Sequence, residues 1–419
     1  MRFSGVSYAA LIVTSAALIS AAPAIAADAA FGDDQNTILV IGQSDGYAAT
    51  NSVTATKTDT PLIDIPQTIN VVTREQLEDQ AQRSIGDVLR YVPGTTVQQG
   101  EGNRDQITIR GQETTSDFFL DGVRDDVQYF RNLYNIERVE ILKGPYALIF
   151  GRGGGGGIVN RVQKAPFAGD LSAAAAGSIN SFGAWEVSGD INAPLGKSGA
   201  VRVNGFYEEL NNHRDGFDGR RFAINPNVAF DLGSDWKVGL SYEYVDDDRA
   251  VDRGIPSDGA NNPASGLRDR FFGIDGVNQT TLQAHIVKAR VDGKLTDNLA
   301  VTSTVLYGNY DKFYGNIFPN GALTAANTVA LAGYLDPTKR ENIIAQANAV
   351  WDLETGPLVH KILFGLEYGH QDSSNQRRNA VFSNATFNLN TGLLPTVTFP
   401  AVNRNTTSIV EFVSVYAQD

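Results

Sequence analysis

Trp236-Lys237-Val238-Gly239-Leu240-Ser241-Tyr242-Glu243-Tyr244 is the stretch from which the fold of this chain is read. Successive side chains of an extended chain point to opposite faces, so Trp236, Val238, Leu240, Tyr242 and Tyr244 share one face and Lys237, Gly239, Ser241 and Glu243 the other. One face is greasy and aromatic, the other small and polar. The alternation recurs over 201–207, 222–230, 301–307, 362–368 and 410–416. Weaker runs begin at Leu171, Ala184, Thr280 and Ile343, which brings the total to about ten strands. The strong runs approach the roughly 9–11 residues that cross a bilayer at a tilt. The segments between them alternate in length: short at 192–199, 233–235, 292–298 and 354–359, longer at 211–220, 247–279, 312–340 and 373–407. Tight turns at one end and long loops at the other are expected of an antiparallel transmembrane β-barrel, whereas a soluble sandwich or propeller has no reason to sort its loops.

Composition agrees with a β protein and removes several function classes. Glycine accounts for 42 of 419 residues, beside 15 tyrosines and 21 phenylalanines, a turn-rich and aromatic-rich bias. Acidic residues outnumber basic ones 47 to 34 for a net charge of -13, which argues against a nucleic-acid partner. The absence of cysteine excludes disulfides, thiolate metal sites and cysteine nucleophiles. His213, His285, His360 and His370 are scattered without metal-ligand spacing.

Ahead of the strands, the chain opens as an export signal. Met1 and Arg2 are followed by an apolar, small-residue run over 8–22 and by Ala24-Ile25-Ala26, a small-x-small cleavage pattern, so 1–26 reads as a signal peptide. That run includes Thr14, Ser15 and Ser20 and is shorter than the roughly 20 residues a spanning helix needs. Up to Pro166 the segments are short and mixed. A strand is expected over 68–73, then a helical turn over 74–80 capped by Thr73, and a second helix over 84–91 stopped by Pro93-Gly94. Strands follow at 107–109, 118–120 and 139–142, which together make a small α+β unit. The stretch Gly151-Arg152-Gly153-Gly154-Gly155-Gly156-Gly157 contains G-x-G-x-x-G only formally, since a strand-like Ile158-Val159-Asn160-Arg161-Val162 follows it rather than a helix.

Several blocks of this unit occur in a recognisable order: Ile65-Pro66-Gln67-Thr68-Ile69-Asn70-Val71-Val72-Thr73, Tyr91-Val92-Pro93-Gly94, Ile109-Arg110-Gly111 and Leu120-Asp121-Gly122-Val123-Arg124. Next come Ile136-Glu137-Arg138-Val139-Glu140-Ile141-Leu142-Lys143-Gly144-Pro145, Phe150-Gly151-Arg152 and Gly156-Gly157-Ile158-Val159-Asn160. Together they resemble the plug domain of TonB-dependent ferric-siderophore receptors, bacterial outer-membrane transporters. The resemblance implies a mainly β fold, in which an N-terminal α+β plug precedes an antiparallel transmembrane barrel of about 22 strands, roughly ten of them present. The expected layout is a signal peptide over 1–26, a flexible N-terminus over 27–59, a plug over 60–166 and a partial barrel over 167–419. A ten-stranded barrel could not hold such a plug, so the chain is expected to lack the C-terminal part of the barrel, either as a fragment or as the product of an interrupted gene.

The resemblance also assigns roles. Asn36-Thr37-Ile38-Leu39-Val40-Ile41-Gly42 resembles a TonB box, with Thr37, Ile38, Leu39, Val40 and Ile41 as its β-prone core, able to add a strand to a partner's sheet edge. A first plug strand is the alternative there. Only about ten residues separate the box from the cleavage site, so no further signalling domain is expected. Arg110, Asp121, Arg124, Glu137, Arg138, Glu140 and Lys143 lie among apolar strand residues, where charge is costly unless paired, and the expectation is that they bond the inner barrel wall. Ligand contacts in this family come from apical plug loops, here 98–105 and 125–134. Gln99, Glu101, Asn103, Arg104, Gln128, Tyr129, Phe130, Arg131 and Tyr134 are the candidates, a mixture of aromatic faces and guanidinium groups suited to an anionic, aromatic iron chelate. The implied function is import of ferric siderophores, of catecholate type on the Arg-Asp-Asp and aromatic run from Arg124 to Phe130. No covalent chemistry and no cofactor are expected, the ferric iron being carried inside the chelator. The expected partners are TonB with its inner-membrane energising complex and outer-membrane lipid, the receptor itself being a monomer. Alternatives are a truncated, non-functional receptor, an importer of cobalamin, another metal chelate or oligosaccharide, and a surface β-rich adhesin or carbohydrate-binding protein.

Overall fold

A computed structural model describes residues 44–58, 60–144, 150–151 and 153–419; the expected signal peptide and TonB box lie outside them. A short hairpin, β1 (Ser44–Asp45) and β2 (Ala48–Ala49), and the one-turn helix α1 (Val53–Thr56) lead into β3 (Thr68–Thr73). The Thr73 hydroxyl accepts the Gln76 N–H at 3.3 Å and starts α2 (Arg74–Asp79). Ser84 and Asp87 form a reciprocal capping box on α3 (Ile85–Leu89). Beyond the Pro93-Gly94 turn come β4 (Thr95–Gln98), β5 (Gln106–Ile109) and β6 (Gln112–Thr114), an antiparallel three-stranded sheet. A second sheet of five strands has the order β3, β9 (Ile136–Lys143), β10 (Gly157–Gln163), β7 (Phe118–Leu120) and β8 (Val123–Arg124), with only the β10–β7 pair parallel. Leu77, Ile85, Val88, Leu89, Ile107, Phe118, Ile136 and Ile141, all nearly inaccessible, fill the space between sheets and helices. β9 is buried on both faces, and for that reason its sequence does not alternate.

From Ser172 the architecture inverts. Ten long antiparallel strands pair each with the next: β11 (Ser172–Ile179), β12 (Trp185–Pro194), β13 (Gly199–Asn211), β14 (Asp218–Leu232), β15 (Trp236–Ala250), β16 (Gln279–Thr296), β17 (Leu299–Pro319), β19 (Thr338–Thr355), β20 (Leu358–Asn379) and β24 (Arg404–Gln418). On β15 the polar residues Ser241, Glu243, Asp247 and Arg249 are buried against the plug, while Leu240 is 49% exposed. Leu240 lies in one outward row with Val228, Ala289, Val305, Ala345, Tyr368 and Val413. A wall that is apolar outside, with buried polar side chains on its inner face beside an apolar patch packed on the plug, meets what a lipid-facing barrel around a packed domain requires. Several strands run past the expected ends, β17 to Pro319 and β20 to Asn379: along β20 both faces become polar above the apolar band, whereas the end of β17 mixes polar, aromatic and aliphatic residues, with Tyr314 and Ile317 buried.

The long connections are themselves structured. β18 (Thr328–Leu335) pairs with β17, with β20 and with β22 (Thr386–Asn388), and β21 (Val381–Phe382) pairs with β23 (Val397–Thr398). Phe272, Ile317, Val329, Leu331 and Phe387 make a separate apolar core there. Among the described residues, β11 and β24 each pair on one side only, so the ten-stranded wall is an open sheet.

Candidate ligand-binding site

Plug loop 98–105 meets the long connection that follows β15. A Cβ on Gly102 would lie 2.5 Å from the Asp252 carbonyl oxygen, and the Gln99 amide donates to that same oxygen at 2.6 Å. The candidate loops therefore face the long-loop end of the wall. The side chains expected to bind ligand separate into a sealed tier and an open one.

Arg131 anchors the sealed tier. Its side chain is inaccessible, with Nε donating to Asp125 Oδ2 at 2.9 Å and Nη1 lying 3.4 Å from Asp105 Oδ2. Its remaining N–H groups bond the carbonyls of Tyr129, Asp125 and Val127 at 3.1, 2.7 and 2.6 Å. The guanidinium is also stacked between Phe118 (4.1 Å) and Tyr129 (4.4 Å). Arg161 reaches Asp125 Oδ2 at 2.6 Å and the Tyr129 hydroxyl donates to it at 2.8 Å. Burial pushes the Asp125 carboxyl up, but Arg131 and Arg161 outweigh it and hold the group below the ordinary carboxylate range. For Asp105, farther from Arg131, burial wins and the carboxyl is raised. Tyr134 donates to Glu243 of the wall at 3.1 Å and stacks on Phe206. Tyr129, Arg131 and Tyr134, expected as ligand contacts, thus have their polar groups bonded inside the protein. The sequence placed them in a loop, and the structure buries that loop against Phe206, Leu282, Ile286 and Tyr310.

The open tier is built around Glu101. Its carboxylate lies 2.7 Å from Arg104 and 3.2 Å from Arg253 and accepts a 3.2 Å bond from the Tyr334 hydroxyl, while the Tyr314 hydroxyl donates to its backbone oxygen at 2.9 Å. Burial raises the carboxyl, and Arg104 and Arg253 more than compensate, leaving it below the ordinary range. Arg253 also covers the Phe318 ring at 4.1 Å, and Arg377 covers Tyr334 at 3.9 Å while paired with Asp336 at 2.5 Å. Gln99 and Gln128 are exposed and Phe130 is half-buried beneath Arg249 (4.8 Å). Asn103 is buried. Lys312 of β17 donates to the Gln128 carbonyl at 2.6 Å and approaches that of Asn103 at 3.5 Å, tying both plug loops to the wall. Arg253, Lys312, Tyr314, Tyr334 and Arg377 were not among the sequence candidates. Register parity could have found part of this set, since Tyr310, Lys312, Tyr314 and Asn316 all share the inward face of β17.

The charges expected to bond the wall mostly do otherwise. Asp121 contacts Lys288 of β16. Arg138 pairs with Glu140 at 2.8 Å, Lys143 donates to the Pro93 carbonyl at 2.8 Å, Arg110 to the Thr68 hydroxyl at 3.1 Å and Arg124 to the Phe150 carbonyl at 2.9 Å, all within the plug. Glu137 is partly exposed. Arg138, Glu140 and Lys143 lie on β9, which is flanked by β3 and β10 and so is enclosed by plug strands on both sides.

A plug inside a polar-lined β-wall, with a guanidinium and aromatic cluster at its long-loop end, defines the class as the TonB-dependent receptor architecture. Residues 61–158 match the TonB-dependent receptor plug domain. Over 340 residues the chain is 27% identical to the probable TonB-dependent siderophore receptor PiuA of Acinetobacter baumannii, taking in 77% of this chain and 45% of that one. The crystal structure of PiuA superimposes with a TM-score of 0.74 at 25% identity, over 90% of this chain and 57% of that one. Identity to the metal-pseudopaline receptor CntO of Pseudomonas aeruginosa is 31% over 342 residues (78% of this chain, 47% of CntO). For the catecholate siderophore receptor Fiu of Escherichia coli it is 27% over 392 residues (86% and 51%). The chain is a relative of TonB-dependent siderophore receptors, and it spans about half the length of the curated relatives it matches.

Proposed function

We propose that this chain serves the import of ferric siderophores across the bacterial outer membrane, energised through TonB. The observation that carries the reading is the open tier at the plug apex, where Glu101, Arg104, Arg253, Tyr314, Tyr334 and Arg377 gather guanidinium groups and aromatic faces at the long-loop end of a lipid-facing wall. Such a surface suits an anionic, aromatic chelate that encloses its own metal. A catecholate chelate is the specific ligand class proposed, supported by the kinship with Fiu. In this reading 1–26 is removed on export, 27–59 carries the TonB box (Thr37 to Ile41), 60–166 is the plug and 167–419 belongs to the barrel. The chelator holds the iron, the protein acts as a monomer in lipid without a cofactor of its own, and it catalyses no covalent step. Deletion of 37–41 tests the coupling. Uptake of radiolabelled iron as a ferric catecholate into iron-starved cells should be lost while binding at the cell surface persists. Loss of binding as well would remove the TonB role from that segment.

A further inference from the structure

Gly100, Glu101 and Gly102 are three consecutive residues in the left-handed region, with φ of 62°, 56° and 73°. Glycine adopts that conformation freely and glutamate does not, so a left-handed Glu101 persists only while its surroundings hold it. What holds it is the clamp. The carboxylate bridges Arg104 of the plug, Arg253 of the connection after β15 and the Tyr334 hydroxyl of β18, and the backbone oxygen of the same residue is held by Tyr314 of β17. Arg253 does not depend on Glu101 for its position, because it is fixed independently by the Asn316 amide oxygen at 3.0 Å and by the Phe318 ring. Nor is it closed to solvent: the Glu101 side chain is 33% exposed and that of Arg253 17%. Two guanidinium groups and a phenol converging on one carboxylate at an accessible apex form a site for an anion, and the anion in it belongs to the chain itself.

Building on the proposed uptake of an anionic chelate, we infer that Glu101 is a built-in stand-in for the ligand: its carboxylate fills the Arg104, Arg253 and Tyr334 clamp until an anionic chelate displaces it. Displacement removes the side-chain half of what keeps the apex turn left-handed and leaves only the Tyr314 bond to its backbone oxygen. The turn then relaxes, and the Gln99 bond to Asp252 and the close packing of Gly102 on the same carbonyl are released with it. Occupancy of the site is thereby converted into movement of the plug loop 98–105, using only the exchange of one anion for another.

Glu101→Gln keeps the shape and much of the hydrogen bonding and removes the competing charge; Glu101→Gly removes the charge and the backbone strain together. The experiment measures equilibrium binding to the receptor purified in detergent from its native membrane. The two probes are the strongly anionic ferric complex of 2,3-dihydroxybenzoate and the uncharged tris-acetohydroxamate complex of ferric iron. Hydrogen exchange over 99–104 is followed in parallel. Both variants are expected to bind the catecholate complex about tenfold tighter than the unsubstituted protein, a gain of about 1.4 kcal/mol, with the uncharged complex unaffected. The 99–104 amides should exchange faster in Glu101→Gln without ligand, and faster in the unsubstituted protein once the catecholate is bound. Equal or weaker catecholate binding by the variants, or a loop equally protected with and without ligand, overturns the inference while leaving the transport reading intact. Failure of both complexes to bind all three proteins overturns the transport reading and this inference with it.

Discussion

Arg131 and Lys57 show how far a charged residue's role depends on what surrounds it. Arg131 heads the largest fully buried side chains among the described residues, and every N–H group of its guanidinium has a partner within the plug. Removing one member of such a pair leaves a buried charge uncompensated, at a cost of about 3–5 kcal/mol. Arg131→Gln is therefore expected to collapse the protection of amides 125–134 against hydrogen exchange, with ligand binding lost as a consequence. A residue that merely touched ligand would lose binding with protection unchanged. Lys57 presents the opposite case, an amine buried against the wall, donating to the Tyr416 hydroxyl at 2.8 Å and lying 4.5 Å from the centre of that ring. Burial lowers its pKa to about 8, only partly opposed by Glu367. In the unfolded chain the amine titrates near 10.4, so between about pH 8 and 10.4 the unfolded state binds more protons than the folded one. Stability contributed at this site must then rise as pH rises through that window and stay flat below it. Thermal unfolding in detergent at pH 7.5 and 9.5 checks the sign, since Lys57→Met should abolish that part of the gain. An equal gain in both proteins would remove Lys57 as its source.

For the strands, a period-two pattern carries most of the information, and it fails where burial is two-sided or hydration is. The alternation of 236–244 marks β15 because lipid lies on one side and the plug on the other. Charges at the outward positions are correspondingly costly, about 2–4 kcal/mol for an arginine at mid-bilayer. Leu240→Arg, in the middle of the apolar band, is expected to cut the fraction of receptor assembled in the outer membrane, read as protease-resistant, heat-modifiable protein. Asp246→Arg, six residues along the same face but above the band, should assemble normally. Comparable losses in both would contradict the placement of the band. The capped helices α2 and α3 were legible too, since Thr73, Ser84 and Asp87 act locally. The far ends of β17 and β20 were not. In β20, Asp372 faces outward while polar neighbours such as Gln371 face inward, and in β17 Phe313 and Ile317 share a face with Asp311 while Tyr314 and Phe318 lie on the other, so neither strand end keeps the one apolar face by which the pattern distinguishes strand from loop. The open tier was legible in its plug half only: Arg253 and Tyr334 reach Glu101 from 152 and 233 residues away in the chain, a distance that only the strand register spans.

At the scale of the whole molecule the decisive quantity is backbone pairing at the two edges of the wall. β24 contributes 15 residues paired to β20 and β11 contributes eight paired to β12, and along their other sides the described structure supplies no strand. In hydrocarbon each unpaired backbone N–H or C=O costs several kcal/mol, which packing of side chains cannot offset over a whole strand. The apolar outer faces of β15, β17 and β20 nevertheless call for lipid, so the sheet is committed to the membrane by its faces and excluded from it by its edges. Both conditions are met only if β11 and β24 are paired, whether by further strands or by another copy of the sheet. The expected outcome is that a membrane-resident form extracted in detergent has an intact or assembled mass well above the 45.1 kDa of these residues. Cysteines introduced at Ser408 or Val410 should then be protected by a neighbouring strand. A monomeric species at or below that mass, folded and stably embedded in lipid with β24 reactive along its outer edge, would show that the edges are satisfied in some other way and would overturn the barrel as the membrane form.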